Sequence, residues 1–240
     1  MTIKTILFDL YGTLIDIETD ESMEEIYRGI AHYLTYQGIY LHRWEVRDRY
    51  YQIMKQQKEI RGEEYPEIDV EAIWNTFLRQ QGIKAAPTRR KLSTILAQIY
   101  RGISRKRLQL YPDVKKVLDE LRSAYCMALI SDAQPGYALP EIKAVGLAGY
   151  FDPIIISAHY GFRKPDRRLI EKALENMKLM PAEVICVGND MYRDIFGASR
   201  LGIKTIFFDS NQGEKYHENV TPDYVAHRFE DVLRGVEALK

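Results

Sequence analysis

The chain has 240 residues, which suits one large domain or a core domain with a smaller insertion. Hydrophobic residues make up 46% and charged residues 28%, a globular composition that excludes a disordered chain. Lys plus Arg and Asp plus Glu number 34 each, so the zero net charge gives no electrostatic reason to expect a nucleic acid or an anionic membrane as partner.

The cysteines and the hydrophobic profile indicate the compartment. Cys126 and Cys186 each lie in a short apolar run that predicts a buried strand, so they fit a reducing compartment better than a disulfide framework. No run reaches the roughly 18 apolar residues of a membrane span, and the first residues lead into a strand without a signal-peptide pattern. We therefore predict a soluble, cytoplasmic protein, monomeric or homodimeric, that binds neither a membrane nor a nucleic acid.

The first part of the chain predicts one strand followed by helices. Residues 3–9 form a short apolar strand that ends at Asp9, and a glycine-containing turn follows at residues 10–14. Between about Asp20 and Gly102, apolar residues recur at helical spacing in four stretches, the third with Asp69 at the N-cap position. No strand is predicted in this segment, so we expect an all-helical insertion.

From Tyr111 onward, short β-rich runs alternate with longer helical patterns, which predicts parallel βαβ units. The predicted helices span residues 112–121, 140–145, 165–177, 192–201 and 229–239, and the predicted strands span residues 127–130, 153–156, 184–187 and 203–207. The predicted fold class is α/β. It comprises a doubly wound, Rossmann-like parallel sheet domain at residues 1–16 and 109–240, with a helical cap domain at residues 17–108.

Polar residues that could carry chemistry follow four of the predicted strands. Ligands of doubly wound sheets bind outside the carboxyl ends of the strands, so these side chains are expected to face one site. In chain order they are Asp9 and Thr13, Ser131 and Asp132, Arg163 and Lys164, and finally Asn189, Asp190 and Asp194.

Each of these residues alone has an ordinary structural explanation. An Asp often caps a turn, Ser131 suits a helix N-cap, and Lys164 suits a solvated surface. Acids at the start of a helix also suit the helix macrodipole. Together, a hydroxyl, a lysine and several acids at one edge of a sheet favour an active site built around a nucleophilic Asp9.

Four motifs that contain these residues resemble those of the haloacid dehalogenase (HAD) superfamily, in the same order. They are Phe8-Asp-Leu-Tyr-Gly-Thr-Leu14, Leu129-Ile-Ser131, Lys164-Pro165, and Val187-Gly-Asn-Asp followed by Asp194-Ile-Phe-Gly-Ala198. The helical insertion is similar to the family's C1-type cap, so the resemblance covers essentially the whole chain.

The resemblance implies a role for the residues of the first three motifs. Asp9 is the covalent nucleophile, and one of its oxygens binds Mg²⁺ together with the backbone carbonyl of Tyr11. Thr13 steadies the Asp9 loop, Ser131 binds the transferring phosphoryl group, and Lys164 offsets negative charge.

The resemblance also implies that the fourth motif completes the metal shell and that loop residues contact the substrate. Asp194 is expected to act in catalysis, and Tyr11, Gly12 and Asp132 are expected to lie against the substrate. Attack of a carboxylate on an anionic phosphoryl group needs charge neutralisation, which Mg²⁺ and a lysine supply.

Two positions depart from the pattern of the family's phosphatases. Tyr11 stands where these enzymes usually have an Asp that protonates the leaving group and later activates water, a poor task for a side chain with a reference pKa of about 10. We therefore expect a preference for phosphates with good leaving groups. Asn189 stands where many relatives have a metal-binding Asp, and we favour neighbouring Asp190 as the ligand that carries the charge.

Three functions remain open. The leading one is a Mg²⁺-dependent phosphatase that acts on a small phosphorylated metabolite through an aspartyl phosphate. The second is an L-2-haloacid dehalogenase with an aspartyl ester and no metal: Tyr11 favours it, and Arg43 in the cap could bind the substrate carboxylate. Ile170, where similar dehalogenases have a Tyr, and the added charge of Asp190 oppose it. The third is a catalytically weak binding or regulatory protein.

The cap is expected to close over the site and to select the substrate. We place its hinges near residues 15–18 and 103–110. Arg43, Trp44, Arg47 and Tyr51 are the cap residues that could face the site, and each of them also suits the cap core or a solvated helix surface.

Overall fold

A six-stranded sheet, in which all neighbouring strands are parallel, forms the centre of the computed structural model, which describes residues 2–240. Its strands are β1 (Thr5–Phe8), β4 (Cys126–Ser131), β5 (Ile154–Ile156), β6 (Val184–Gly188), β7 (Lys204–Phe208) and β8 (Tyr224–Ala226). The order across the sheet is β5-β4-β1-β6-β7-β8, so β4 and β6 flank β1.

Helices cover both faces of this sheet. They are α5 (Val114–Leu121), α6 (Pro135–Ala144), α7 (Arg167–Met177), α8 (Gly197–Ser199) and α9 (Asp231–Ala238). Because successive side chains of a strand point to opposite faces, Ile6 and Phe8 of β1 pack with α5 and α9, while Leu7 packs with α7. The structure confirms the predicted doubly wound α/β class.

Four further helices form a second hydrophobic cluster, to which Tyr137 of α6 also belongs. They are α1 (Glu24–Tyr36), α2 (Arg43–Arg61), α3 (Val70–Gln80) and α4 (Ala86–Ser104), as predicted from helical spacing. Trp74 and Phe77 of α3 are fully buried in this cluster. Asp69 caps α3, because its carboxylate accepts the Ala72 N–H at 2.9 Å.

A two-stranded antiparallel ribbon connects the four helices to the sheet. It consists of β2 (Ile15–Thr19) and β3 (Arg105–Leu110), with Ile17 opposite Leu108. The predicted hinge at residues 15–18 lies on β2, and the one at residues 103–110 covers the end of α4 and all of β3. The division into a core and a cap at residues 16/17 and 108/109 stays a prediction, and its boundaries lie within the ribbon.

The loop between α2 and α3 makes a second connection to the sheet part of the molecule. Pro66 forms an antiparallel bridge with Phe162. The Arg163 N–H donates to the Tyr65 carbonyl at 3.0 Å, and the Glu67 N–H donates to the Gly161 carbonyl at 3.0 Å. The loop that carries Lys164 is therefore packed against the helical part.

The structure differs from the predicted elements in several places. Helix α6 begins at Pro135 and not at Pro140, which lies inside it. A π-helical turn, Met191–Phe196, leads into α8 in place of a regular helix. Strands β2, β3 and β8 have no predicted counterpart. Cys126, predicted to be buried, is exposed at the first position of β4. Among residues 2–240, no helix combines the length and the apolar character needed to cross a membrane.

Candidate active site

Three neighbouring strands bring several of the predicted residues to one edge of the sheet. Asp9 directly follows β1, Ser131 ends β4, and Asn189 directly follows β6. Because these strands are adjacent and parallel, their carboxyl ends meet. The small cavity at this edge has a volume of about 30 Å³ and is lined by Asp9, Tyr11, Ser131, Asp132, Lys164, Asn189, Arg193 and Asp194.

Lys164 connects two carboxylates of the small cavity. Its Nζ lies 2.6 Å from Oδ1 of Asp9 and 2.6 Å from Oδ1 of Asp194, and its side chain is 6% exposed. Burial alone would lower the pKa of Lys164, but the carboxylates of Asp194 and Asp9 raise it above its ordinary value. Burial raises the pKa of Asp194 to about 6, against the opposing effect of the Lys164 ammonium. Lys164 therefore stays charged at neutral pH and holds the Asp9 side chain in place.

The turn after β1 fixes the second oxygen of Asp9. The Thr13 hydroxyl lies 2.8 Å from Oδ2 of Asp9 and 3.0 Å from Oδ1 of Asn189, and it has one proton to donate to either. Gly12 has a φ of +90°, and a Cβ there would lie 2.4 Å from the Asn189 amide nitrogen, so this position requires glycine. The Gly12 N–H donates to the Ile15 carbonyl at 2.8 Å. Gly12 thus shapes the turn, and its N–H is not directed at a substrate.

Ser131 presents a buried polar group without a partner. Its Oγ makes no hydrogen bond to any group within residues 2–240, and the residue is 1% exposed. A buried hydroxyl costs free energy unless a partner satisfies it. Because Ser131 lines the same cavity as Asp9 and Lys164, a bound anionic group is the partner that this hydroxyl suits.

Of the three polar residues after β6, two face the small cavity and one does not. Asn189 and Asp194 line it, and Oδ2 of Asp194 accepts the N–H groups of residues 189 and 190 at 3.1 Å each. Asp190 instead caps the π-helical turn: its Oδ1 accepts the N–H groups of Tyr192 and Arg193. Its Oδ2 accepts the Arg193 guanidinium at 2.8 and 2.9 Å. This corrects our preference for Asp190 as the metal ligand, because Asp190 does not line the small cavity and its carboxylate is directed at the π-helical turn and at Arg193.

Arg193 is a cation of the small cavity that the sequence analysis missed. It lines the cavity while its guanidinium binds Asp190. Burial alone would lower the pKa of Arg193, but Asp190 raises it above its ordinary value. The spacing of Arg193 from Asp190 could have indicated their ion pair, because side chains three residues apart at the start of a helix are neighbours.

The hydroxyl of Tyr11 is bound to a buried carboxylate. It donates to Oε2 of Glu141, which also accepts Arg101 at 2.9 Å. Oε1 of Glu141 accepts Arg101 at 2.8 Å and Arg105 at 2.9 Å. Burial and the negative charge of Glu141 raise the pKa of Tyr11 well above its ordinary value. The phenol proton is therefore unavailable to a leaving group, in agreement with the expectation from the residue type.

A larger cavity of about 240 Å³ adjoins the small one, between the four helices and the sheet. Tyr11 and Asp132 line both cavities. The larger cavity has room for the non-reacting part of a small metabolite. Its further polar lining consists of Thr19, Glu21, Tyr50, Glu67, Tyr100 and Arg101 from the helical part and Gln134, Tyr137 and Arg163 from the sheet part.

None of the four predicted cap residues lines either cavity. Arg43 forms an ion pair with Glu24, and its guanidinium lies 4.8 Å from the centre of the Trp44 ring. Neither cavity is lined by Arg43, Trp44, Arg47 or Tyr51. This corrects the prediction that Arg43 binds the substrate: helical spacing identifies a face of α2 but not what that face contacts.

The donors of the small cavity fit a hard divalent cation. Mg²⁺ takes one or two carboxylates together with carbonyl oxygens and waters. Asp9 supplies a carboxylate and Asn189 an amide oxygen, and Asp194 lies on the other side of the Lys164 ammonium. Among residues 2–240, no group of three or more His, Cys, Asp or Glu side chains is arranged to hold a metal ion. A Mg²⁺ bound here would therefore keep waters among its ligands.

Comparison with known sequences supports a hydrolase. A family model for haloacid dehalogenase-like hydrolases matches residues 3–202. The chain is 28% identical over 207 residues to a glyceraldehyde 3-phosphate phosphatase of Pyrococcus abyssi. The aligned region covers 86% of this chain and 81% of that protein. It is 32% identical over 106 residues to a phosphoserine phosphatase of Thermus thermophilus, a match that covers 44% of this chain and 43% of that protein.

Solved structures with the same fold include both dehalogenases and phosphatases. A 2-haloacid dehalogenase from Pseudomonas syringae pv. Tomato superposes with a TM-score of 0.72 at 21% identity, over 99% of each chain. A HAD phosphatase from Thermococcus onnurineus superposes with a TM-score of 0.61 at 21% identity, over 98% of each chain. At these identities the likeness establishes the fold and leaves the reaction to the site.

Proposed function

The chain belongs to the haloacid dehalogenase-like hydrolase family, and from this premise we propose that it is a phosphatase that hydrolyses a small phosphorylated metabolite through an aspartyl phosphate on Asp9. Two relatives are named as phosphatases of glyceraldehyde 3-phosphate and phosphoserine, both small phosphate monoesters. The cavity of about 240 Å³, which shares Tyr11 and Asp132 with the small cavity that contains Asp9, is of a size that suits such molecules.

The observation that carries the proposal is the charge and hydrogen-bonding capacity around Asp9. Lys164 and Arg193 supply positive charge to the small cavity, and the Ser131 hydroxyl is free to donate. Cations and a preorganised donor around a carboxylate nucleophile stabilise the charge of a transferring phosphoryl group. Lys164 and Thr13 hold the two oxygens of Asp9 at 2.6 and 2.8 Å, so the nucleophile is oriented before a substrate binds.

The reaction follows in two steps. An oxygen of Asp9 attacks phosphorus, and the bond between phosphorus and the substrate oxygen breaks. During this step Ser131 donates a hydrogen bond to a phosphoryl oxygen, and Lys164 offsets the negative charge. Water then attacks the phosphorus of the aspartyl phosphate, which releases inorganic phosphate and restores the Asp9 carboxylate.

Mg²⁺ is part of the proposal. Asp9, Asn189 and the backbone carbonyl of Tyr11 would hold the ion, with Asp194 close by, and the bound ion would neutralise and orient the phosphoryl group. Removal of divalent ions with EDTA is expected to abolish phosphate release, and added Mg²⁺ is expected to restore it. Full activity in EDTA would contradict a role for the metal.

The proposal is tested by phosphate release from triose phosphates, sugar phosphates, phosphoserine and acyl phosphates in the presence of Mg²⁺. The control is the Asp9→Asn variant, which keeps the size of the side chain and loses the nucleophile. We expect at least one compound to be hydrolysed by the wild type, and we expect the variant to lose several orders of magnitude in rate. Activity that survives in the variant would overturn the assignment of Asp9.

A second candidate is L-2-haloacid dehalogenation, which Tyr11 favours because the departure of a halide needs no proton. Two observations weaken it. Ile170 of α7, where similar dehalogenases have a Tyr, is 2% exposed and packs in an apolar cluster. Arg43, the predicted partner of the substrate carboxylate, is paired with Glu24 and lines neither cavity. Halide release from L-2-chloropropionate without Mg²⁺ would revive this candidate. If neither phosphate nor halide were released, a binding or regulatory role would be favoured.

A further inference from the structure

Asp132 lies where the two cavities meet. It lines the small cavity together with Asp9 and Lys164, and it also lines the larger cavity. The other acids are divided between the two: Asp9 and Asp194 line the small cavity, and Glu21 and Glu67 line the larger one. A phosphate monoester with its phosphoryl group at Asp9 and its remaining part in the larger cavity would have its scissile oxygen at this junction.

One oxygen of Asp132 is fixed by the backbone, and the other has no hydrogen-bond partner. Oδ1 accepts the Lys164 N–H at 2.9 Å. Oδ2 is buried and accepts no hydrogen bond within residues 2–240, and the Arg163 Nε lies 3.4 Å away without donating one. The side chain is 6% exposed, so bulk solvent does not readily satisfy Oδ2. An oriented, buried carboxyl oxygen without a partner is suited to exchange a proton with a bound ligand.

The charges around Asp132 change when a substrate binds. In the free protein Asp132 interacts with the cations Lys164, Arg193 and Arg163 and with the acid Glu67. A phosphoryl group bound between Lys164 and Arg193 adds negative charge beside Asp132 and occupies two of its cations.

We propose that Asp132 is the acid–base residue of this active site and performs the proton transfers that Tyr11 cannot perform. The inference rests on the proposed phosphatase function. In the first step the carboxyl group of Asp132 gives its proton to the substrate oxygen as the phosphorus–oxygen bond breaks and the Asp9–phosphorus bond forms. In the second step the Asp132 carboxylate takes a proton from the water that attacks phosphorus, and the bond between phosphorus and the Asp9 oxygen breaks. Asp132 thereby returns to its acid form as phosphate leaves.

Glu67 is the other buried acid close to the junction, and it differs from Asp132 in its contacts. Both of its oxygens are engaged, because the Ser157 hydroxyl donates to Oε2 at 2.6 Å and the Ile68 N–H donates to Oε1 at 2.9 Å. Glu67 lines the larger cavity and not the small one. It therefore provides a matched comparison for Asp132, as a second buried acid that is not in reach of the nucleophile's cavity.

The test compares substrates whose leaving groups differ in their need for a proton. Wild type, Asp132→Asn and Glu67→Gln are assayed with Mg²⁺ on p-nitrophenyl phosphate and on the alkyl phosphates glycerol 3-phosphate and phosphoserine. The value of kcat/KM reports the first step, in which the leaving group departs. Asn at position 132 keeps an acceptor for the Lys164 N–H, and thermal unfolding of each variant verifies that it folds.

We expect Asp132→Asn to lower kcat/KM for the alkyl phosphates by about 10²- to 10⁴-fold, the usual contribution of a general acid, and for p-nitrophenyl phosphate by less than about tenfold. Glu67→Gln changes the lining of the larger cavity alone, so its effect on kcat/KM is expected to differ with the bound group and not to follow the leaving group's need for a proton. The wild type would then hydrolyse alkyl phosphates as well. Only the Asp132→Asn variant would show the preference for good leaving groups that the residue type of Tyr11 predicts.

An equal loss on all three compounds in Asp132→Asn, or a leaving-group-selective loss in Glu67→Gln alone, would overturn the inference and leave the phosphatase function intact. Hydrolysis of p-nitrophenyl phosphate by a wild type that leaves both alkyl phosphates untouched would also overturn it. A wild type that releases phosphate from none of the compounds tested would instead overturn the proposed function, and the inference with it.

Discussion

At the scale of single residues, two buried hydroxyls of the site differ in whether they have partners. Thr13 donates to Asp9 or Asn189, whereas the Ser131 Oγ has no partner among the described residues. Removal of a hydroxyl that serves buried acceptors is destabilising, whereas removal of an unpaired one is not. Substitution of Thr13 is therefore expected to lower the stability of the fold, whereas substitution of Ser131 is expected to lower activity alone.

We predict that Ser131→Ala keeps or slightly raises the free energy of unfolding and lowers phosphatase kcat by about 10²- to 10³-fold, the usual loss when a donor to the reacting group is removed. The near-isosteric Thr13→Val is expected to lower the free energy of unfolding by about 1–3 kcal/mol, because Asp9 and Asn189 lose a donor. Urea unfolding and steady-state phosphate release measure both quantities. Equal destabilisation by the two substitutions would show that Ser131 has a structural partner.

Glu67 gives a prediction about pH. Burial raises the pKa of Glu67 above its ordinary value, in spite of the Ser157 hydrogen bond and the nearby Arg163. When the folded-state pKa lies above the unfolded one, the stability that protonated Glu67 contributes is present below the unfolded pKa and is lost as the pH rises through the folded pKa. Ionised Glu67 is therefore a destabilising group at neutral pH.

Glu67→Gln removes this titration and keeps a neutral polar group of similar size. We expect the free energy of unfolding of the variant minus that of the wild type to become more positive as the pH rises from about 4 to about 7. Urea titrations at several pH values in this range measure the difference, in which the titrations of other groups cancel. A difference that does not change with pH would show that Glu67 titrates alike in the folded and unfolded states.

At the scale of secondary-structure elements, burial decided what could be predicted. Strands β1, β4 and β6 are covered by helices on both faces, so they appear in the sequence as uninterrupted apolar runs. Strand β3, with the sequence Arg-Lys-Arg-Leu-Gln-Leu, is exposed or half-buried along its length and is defined by its pairing with β2, far away in the chain. Such pairing depends on tertiary contacts that local sequence does not encode.

The same limit applies to the candidate site. Strand ends pointed to Asp9, Ser131 and Lys164, and the structure brings these residues into one cavity. The choice between Asn189 and Asp190 depends on which side chain faces that cavity at a π-helical turn, where regular helical spacing does not hold. Periodicity likewise does not show which side chains of the cap helices face the site, because a helix with one apolar face can pack on any matching surface.

Helices α4 and α6 carry a buried ion pair that connects the helical part to the sheet part. Arg101 of α4 binds Glu141 of α6, which is 2% exposed and also accepts Arg105. Burial would raise the pKa of Glu141, but the adjacent guanidinium of Arg101 holds it below its ordinary value. The pair therefore depends on both charges being present.

We predict that Arg101→Met lowers the free energy of unfolding by about 3 kcal/mol, since it leaves part of a buried charge uncompensated. Arg105→Met is the matched control: it removes the same type of side chain from the same carboxylate, but Arg105 is 34% exposed where Arg101 is 13% exposed. Its loss is expected to be smaller. If urea unfolding gave the same loss for both variants, Arg101 would not be the dominant partner of Glu141.

At the scale of the whole molecule, the small cavity gathers residues that lie far apart in the chain. Asp9, Ser131, Lys164 and Asn189 come from four separate segments, and Lys164 sits in a loop that also contacts the helical part. A ligand held by all four segments binds the folded chain and not the unfolded one. Its binding free energy is therefore added to the stability of the fold.

Mg²⁺ with beryllofluoride, which mimics an aspartyl phosphate, provides the corresponding measurement. At a concentration 100 times its Kd, such a ligand stabilises the folded state by about 2.7 kcal/mol, which for a chain of this size raises Tm by about 5–10 °C. We expect this shift in the wild type, a smaller one in Ser131→Ala, and none in Asp9→Asn, because the mimic bonds to the carboxylate. Mg²⁺ alone and fluoride alone are the controls for weak binding elsewhere. An equal shift in Asp9→Asn would place the ligand outside the cavity and would remove the support that the unpaired Ser131 hydroxyl gives to a phosphoryl site.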